Sequence, residues 1–472
     1  MHALVRHPAA VSLLKPLLWV LLLAPLALFI ATAPLAEPLL LGAGIALVGL
    51  TAWNIEAGLV ILIASMLLSP ELPLGAAGHG GLDLSRSVIL RTEDVVLLLV
   101  GLGWLARMAI HKDLGAVRGT RLNAVIALYV ACCLLSTLVG IGAGRVRPVA
   151  GLCFVAKYVE YFVIFFMTLN YVRTEERLRR LLAALLATAA SIAAYGWWQI
   201  PKGVRPSAPF EGAQGEPNTL GGYLALMTAM ALALALHAPS KHWRRGCGVL
   251  AAMAVPVIAM TLSRSSWMGL AAAVLVLLLL SPRRRVLLGA SVVCAALLLL
   301  YLPAKVEQRI DYTFTPEGHD AVSLGRLHLD PSSSARLHSW GSALDGFARH
   351  PLTGYGVTGY GFLDAQYFRV LVELGAFGAL AFGALLFGCG RLFFEVWRDA
   401  ADPLHRALGL GLLSGFAALL VHAIGTNTFL LIRIMEPFWM LCALAAAARG
   451  LPSTAPAPET VPAATLRPLR LA

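Results

Sequence analysis

Apolar runs long enough to cross a lipid bilayer recur along almost the whole 472-residue chain, and they decide its class before any motif is considered. A helix covers the hydrocarbon core with about 20 mainly apolar residues, in a usual range of about 17–25. Runs of this kind lie near 16–34, 38–53, 57–70, 95–110, 122–142, 149–171 and 181–200. Seven more follow near 219–237, 246–262, 266–281, 286–303, 370–390, 407–426 and 434–448. Charged residues make up only 13% of the chain, with a mean hydropathy of +0.78; a soluble domain carries about 25%. Too few polar residues remain to wet a surface, so a soluble enzyme, a disordered chain and a disulfide-stapled scaffold are excluded. The expected fold is all-α: a polytopic helical membrane protein with about 12–14 transmembrane helices, the second and third runs being short enough to be partly re-entrant.

A net charge of +12 and a pI near 9.6 raise the question of nucleic acid, and the distribution of charge answers it. The basic residues do not form one face but short clusters between apolar runs, the pattern of membrane topology. Arg107, Lys112, Arg118 and Arg121 follow the fourth run, and Arg173, Arg177, Arg179 and Arg180 the sixth. Lys241, Arg244 and Arg245 follow the eighth, Arg283 to Arg285 the tenth, and Arg391, Arg398 and Arg406 the twelfth. All fall after even-numbered spans, so fourteen spans place them on one side, the cytoplasm, together with both termini. Merging the second and third runs would break that parity. The first run is read as a retained span rather than a signal peptide, and the Pro/Ala/Thr-rich tail from Pro452 as a disordered cytoplasmic extension. The seven cysteines lie in apolar stretches without metal-binding spacing and read as small hydrophobes.

The expected organisation is a membrane block at 1–302, one large outer loop at 303–368, a second membrane block at 369–449 and a tail at 450–472. Within the loop, Leu337, Trp340, Leu344 and Phe347 have helical spacing over Ser334 to Arg349, with Ser332 to Ser334 as caps. Arginines on the outer side break the topology pattern and so carry information: Arg145 and Arg147, Arg205 with Lys202, Arg264 between serines, Arg336, and Arg433 before Glu436. A guanidinium offers a fixed fork of donors suited to phosphate oxygens, whereas snorkelling or pairing with an acid is the ordinary alternative. Arg264, with only serines beside it in its turn, favours the phosphate role.

Lys157 and Glu160 lie three residues apart inside the sixth run. Two roles fit them: an ion pair locking helices, or a lysine lining a substrate cavity. Asn218, before the eighth run, fits a helix N-cap and a substrate contact equally. Asp364 fits both a cap and a base accepting a proton from a sugar hydroxyl. The stretch from Gly354 to Gly361 lacks the context of a phosphate loop and reads as an irregular segment returning to the membrane. His338, His350 and His422 read as structural. No motif implies a metal or a nucleotide cofactor.

Taken in order, several stretches resemble the bacterial O-antigen ligase/polymerase superfamily. They are Glu216-Pro217-Asn218-Thr219-Leu220-Gly221-Gly222-Tyr223, Leu262-Ser263-Arg264-Ser265-Ser266-Trp267-Met268-Gly269-Leu270, Ser333-Ser334-Ala335-Arg336, His350-Pro351-Leu352-Thr353-Gly354-Tyr355-Gly356 and Leu371-Val372-Glu373-Leu374-Gly375. The resemblance runs from about residue 200 to 380. It implies a GT-C-like fold and a metal-independent glycosyltransferase without cofactor, acting on an undecaprenyl-diphosphate-linked glycan donor and a glycan or lipid-linked acceptor at the periplasmic face of the inner membrane. It also implies that Arg264 and Arg336 hold the diphosphate, with Arg145 and Arg147 a looser match. Lys157, Arg205, Asn218 and Glu373 complete the expected substrate contacts. Ligases of the family typically carry a histidine-asparagine pair before the glutamate-glycine motif. Here the chain reads Leu363-Asp364-Ala365-Gln366-Tyr367, which suits a polymerase-like member with Asp364 as the base. Polymerase is the leading expectation, a ligase acting on lipid A core or another acceptor the second, and a transporter without chemistry the third; no repeated halves of the transporter type are visible.

Overall fold

The computed structural model describes residues 34, 36–72, 90–112, 118–211, 215–300, 306–309, 311, 323–324, 327–328, 331–361 and 363–451. The first apolar run, most of 303–330 and the tail from Pro452 lie outside the described residues. Each of the other thirteen runs is a helix: α1 (Ala36–Trp53), α2 (Ile55–Leu68), α3 (Thr92–Ile110), α4 (Arg121–Gly142), α5 (Pro148–Tyr171), α6 (Glu175–Gln199) and α7 (Pro217–His237). Then come α8 (Lys241–Met260), α9 (Arg264–Leu280), α10 (Arg284–Leu300), the loop helix α11 (Pro331–Arg349), α12 (Gln366–Asp399), α13 (Pro403–His422) and α14 (Ile432–Ala448). Eight are long and apolar enough to span a membrane unaided. The protein is a polytopic helical membrane protein. Two antiparallel pairs of two-residue strands, Glu71–Leu72 with Leu90–Arg91 and Ser323–Leu324 with Leu327–His328, are the β-structure among the described residues.

The helix starts refine the sequence reading. Pro217 takes the first position of α7, so its N-cap is Glu216 and Asn218 falls inside the first turn. Likewise α12 begins at Gln366 with Ala365 as N-cap, so Asp364 does not cap it. The loop helix starts at Pro331, which puts Ser332 to Ser334 within its first turn rather than before it.

The chain divides into two compact units, Met1–Gly58 with Leu98–Leu114, and Leu59–Leu97 with Gly115–Ala472. In the first, Gly103 faces Thr51 so closely that a Cβ would lie 2.6 Å from the Thr51 Cβ. Arg107 donates from Nη1 to the carbonyls of Ala52 (3.0 Å) and Trp53 (2.8 Å), satisfying the end of α1.

The second unit is built around α7, 89% of whose most apolar stretch is buried. Lipid gives helices no hydrophobic reason to associate, so close backbone approach over small residues takes over. Ala225 and Ala229 meet Ala273 of α9 and Ala418 of α13. Gly411 and Gly415 of α13 face Met230 and Leu226, where added Cβ atoms would collide with α7.

The longest helix, α12, is broken at Gly375 (φ 66°, ψ −167°). A break at membrane depth frees backbone groups that hydrocarbon cannot satisfy. The segment 350–361 repairs it. Tyr355 N donates to Val372 O (3.0 Å) and Gly356 N to Glu373 O (2.8 Å), while Ala376 N donates to Pro351 O (2.8 Å) and Phe377 N to Leu352 O (3.3 Å). Ser136 Oγ of α4 lies 2.5 Å from Thr353 O and 2.7 Å from Glu373 O, tying both partners to a third helix.

The basic clusters of this unit gather at one end. Arg121 and Arg449 both pair with Glu395, Arg118 donates to Val172 O (3.2 Å), His405 meets Glu175 at 2.7 Å, and Arg283 donates to Leu236 O. These contacts join the start of α4, the ends of α5 and α7, the start of α6 and the ends of α12 and α14.

Candidate functional site

At the other end of the same helices, α9 begins in a serine-rich turn. Ser266 Oγ donates to Ser263 Oγ (2.8 Å), and the turn is entered through Leu262 at φ 54°. A leucine in the left-handed region is strained, and such strain clusters at sites where the chain must aim a particular side chain. Arg264, the first residue of α9, follows two residues later. Arg205 reaches the preceding helix end, donating from Nε (3.0 Å) and Nη2 (2.8 Å) to Thr261 O. Burial and the neighbouring Arg309 hold Arg205 below the usual guanidinium range.

The turn after α13 closes on α9 from the side. His422 Nδ1 lies 2.8 Å from Thr428 Oγ1 and 2.9 Å from Thr426 Oγ1, which fixes the turn that carries Gly425. A Cβ at Gly425 would stand 2.6 Å from Ser265 Oγ and 3.8 Å from the Arg336 guanidinium carbon. Gly425 is therefore where the Arg264 turn and the loop helix meet. Arg336 Nη2 in turn lies 3.9 Å from Asp364 Oδ2. The backbone around Asp364 is pinned: Asn427 Nδ2 donates to Leu363 O (2.8 Å), Gln366 N to Ala423 O (3.2 Å) and Phe429 N to Gln366 Oε1 (3.0 Å).

Asp364 is half-buried, with the Arg336 guanidinium 3.9 Å from its Oδ2 and the charge of Arg369 near enough to act on it. Burial pushes its carboxyl above the usual aspartate range, and both arginines pull it back. Arg369 also pairs with Glu373 (Nε to Oε2, 3.3 Å), whose other oxygen accepts from Thr358 N (3.3 Å). Thr358, like Leu262, has positive φ (68°).

Residues 249–383 match a family described as O-antigen ligase. The match covers less than a third of the chain, and over that segment the chain is similar to that family. No curated protein matches it. The match runs from α8 into α12 and contains Arg264, Arg336, Asp364 and Glu373 of the residues singled out in the sequence.

Arg145, Arg147, Lys157, Arg205 and Asn218 lie outside the superfamily match, and the structure distributes them unequally. Arg145 Nη1 sits 2.8 Å from His350 Nε2 and packs 5.4 Å above the Tyr355 ring. Tyr355 contacts Tyr360, whose hydroxyl donates to Ser342 O of α11 (2.6 Å), so Arg145 joins the layer that carries Arg336. Arg147 stands exposed before Pro148 at the start of α5. Asn218 lies in the first turn of α7, which at Gly221 touches Ser266 of the Arg264 turn. Lys157 is placed elsewhere: its Nζ binds both oxygens of Asp94 (2.9 and 3.1 Å). Its ion-pair partner is on α3, not Glu160 of its own helix.

Arg369 carries a signal in the sequence as well, since its spacing of four from Glu373 marks a helical ion pair. Gly425 carries none, and its role is visible only in three dimensions. Among the described residues, one group has three metal-ligand atoms within 4.8 Å of one another, Glu175, Asp402 and His405. It lies at the basic end, its histidine is bonded to Glu175, and Asp402 caps α13 by accepting from Leu404 N (2.7 Å).

Proposed function

We propose that the protein is a glycosyltransferase that polymerises undecaprenyl-diphosphate-linked oligosaccharide repeats at the periplasmic face of the inner membrane. The observation that carries this reading is the Asp364 carboxyl facing Arg336 at 3.9 Å, one glycine away from the Arg264 turn. A hydroxyl of the acceptor glycan attacks the anomeric carbon of the donor, and Asp364 accepts the hydroxyl proton. The bond from that carbon to the diphosphate breaks, and undecaprenyl diphosphate leaves. Arg264 and Arg336 meet the charge that develops on it, with Arg145 and Arg147 on the same side. Each such donor is worth on the order of 100- to 1000-fold in rate. Arg205, Asn218 and Glu373 hold the surrounding backbone and the glycan, and Lys157, paired with Asp94, locks α5 to α3.

The description of the matched family favours a second reading, transfer of finished glycan to lipid A core or another acceptor. The aspartate where ligases typically carry histidine favours polymerisation. The two separate on a gel of surface and lipid-linked glycans from a deletion strain complemented with wild type, Arg264→Ala or Asp364→Ala. Loss of the protein leaves single repeat units in the first case and full-length chains on the lipid carrier in the second. Both variants should behave as the deletion; wild-type glycans from both would refute the site.

A further inference from the structure

A second group of charges is buried in the same unit and shares no residue with the arginine site. Glu93 and Asp94 come from the start of α3, Lys157 and Glu160 from α5, and Arg433 and Glu436 from the first turns of α14. Ser69, Arg91 and Glu211 enter from adjoining loops. Glu436, Glu93 and Arg433 expose 1% of their surface or less. The charged groups facing Glu436 are Glu93 and Asp94 from α3 and Lys157 and Glu160 from α5. Arg433 lies one turn back on its own helix, and Tyr161 of α5, beside Glu160, stacks on Trp439 of α14.

The cations of this group are already matched. Lys157 is bidentate on Asp94. Arg433 donates to Glu211 Oε1 (2.9 Å), Ser69 O (3.1 Å) and Pro209 O (3.4 Å). Arg91 lies 3.7 Å from Glu93, which also accepts from the Ser69 hydroxyl. Glu160 and Glu436 have no such cation partner among the described residues, while Glu93 Oε1 and Arg433 Nε also make no hydrogen bond. Neither oxygen of Glu436 has a hydrogen-bond partner among the described residues, nor does Oε2 of Glu160. A bare carboxylate in a water-poor bundle costs several kcal/mol, and such a group takes a counter-ion or a proton. A cation needs converging oxygens, and among the described residues the carboxylates here do not form a ligand group within 4.8 Å.

We propose that this cluster is a proton-binding site: Glu436 and Glu160 each hold a proton at neutral pH, and their neutral carboxyls keep α3, α5 and α14 packed. Acidic side chains buried in a membrane bundle are the usual carriers of exchangeable protons. The site goes beyond the transferase reading and does not depend on it.

The test is infrared spectroscopy of the full-length protein in lipid nanodiscs at pH 7. A protonated carboxyl absorbs apart from carboxylates and shifts in heavy water. Glu436→Gln and Glu160→Gln should each remove the absorbance of one protonated carboxyl, and the double variant that of two. Since glutamine copies a neutral glutamic acid, Glu436→Gln should melt within a few degrees of wild type at pH 7. Wild type should lose melting temperature as pH climbs from about 5 through neutrality and beyond, and the double variant should lose much less. Unchanged protonated-carboxyl absorbance in either single variant overturns the proposal. So does a large drop in melting temperature of Glu436→Gln at pH 7, which would mean that the negative charge is required. Melting that depends on sodium or potassium at constant ionic strength, with no protonated carboxyl lost, would show a bound metal cation instead and also overturn it.

Discussion

Asp364 owes its position and its acidity to different neighbours, and the two can be separated. If it is the base, the acid limb of the rate–pH profile reports its deprotonation and lies above the ordinary aspartate value of about 3.9. Arg336 lowers that value, so Arg336→Gln should move the limb to higher pH while also reducing the rate. A limb that stays put or moves down assigns it to another group. Glu211 gives a stability test. Burial pushes its carboxyl up to about 7 against the pull of Arg433. Arg433→Met leaves it buried without a cation, at a cost of about 3–5 kcal/mol. An acid with a raised folded-state value loses stability as pH climbs from the ordinary glutamate range toward that value, so the penalty should be smallest in acid. Thermal melts of the single variant and of Arg433→Met/Glu211→Gln, which should recover most of the loss, check this. Of these pairings the sequence shows only the local ones. Arg369 and Glu373 are four apart on a helix; Lys157 finds Asp94, and Arg433 finds Glu211, across distances in sequence that no periodicity encodes.

The helices themselves were readable because each needs only its own apolar run, and thirteen runs became thirteen helices. Their starts were less so: Pro217 displaces the cap from Asn218 to Glu216, a competition between neighbouring residues that a preference for asparagine does not reveal. The break in α12 was not readable at all. An apolar run containing Gly375 looks like many unbroken helices, and what makes the break tolerable is a segment some twenty residues upstream. Gly375→Ala should be severe. Its backbone region costs a non-glycine residue about 1–3 kcal/mol, and the added Cβ would overlap the backbone of Leu352 and Thr353. Gly383→Ala, in the same helix with nothing within 4 Å of its Cβ position, should be neutral or stabilising by up to about 1 kcal/mol. Size-exclusion profiles and melting temperatures of the two variants distinguish a position that needs glycine from one that merely has it.

For the molecule as a whole, the sidedness of the charges makes the strongest statement. The basic clusters of the second unit gather at one end and the Arg264–Asp364 site at the other. In a variant lacking the seven cysteines, Asp345→Cys should react with a membrane-impermeant maleimide in intact spheroplasts, and Arg398→Cys only after lysis. The reverse pattern would put the site in the cytoplasm. What the sequence could not deliver was assembly: that one glycine, Gly425, lets the α9 turn and the loop helix touch depends on three segments far apart in the chain. The repaired break in α12 has a further bearing on how this protein can change over time. Residues 351–356 and 372–377 exchange backbone hydrogen bonds across the break, so a single-residue insertion or deletion in either would slide one partner past the other and leave several amides without partners. Side chains there can drift, but length cannot, and a deletion scan should find this stretch of the outer loop as intolerant as the interior of a transmembrane helix.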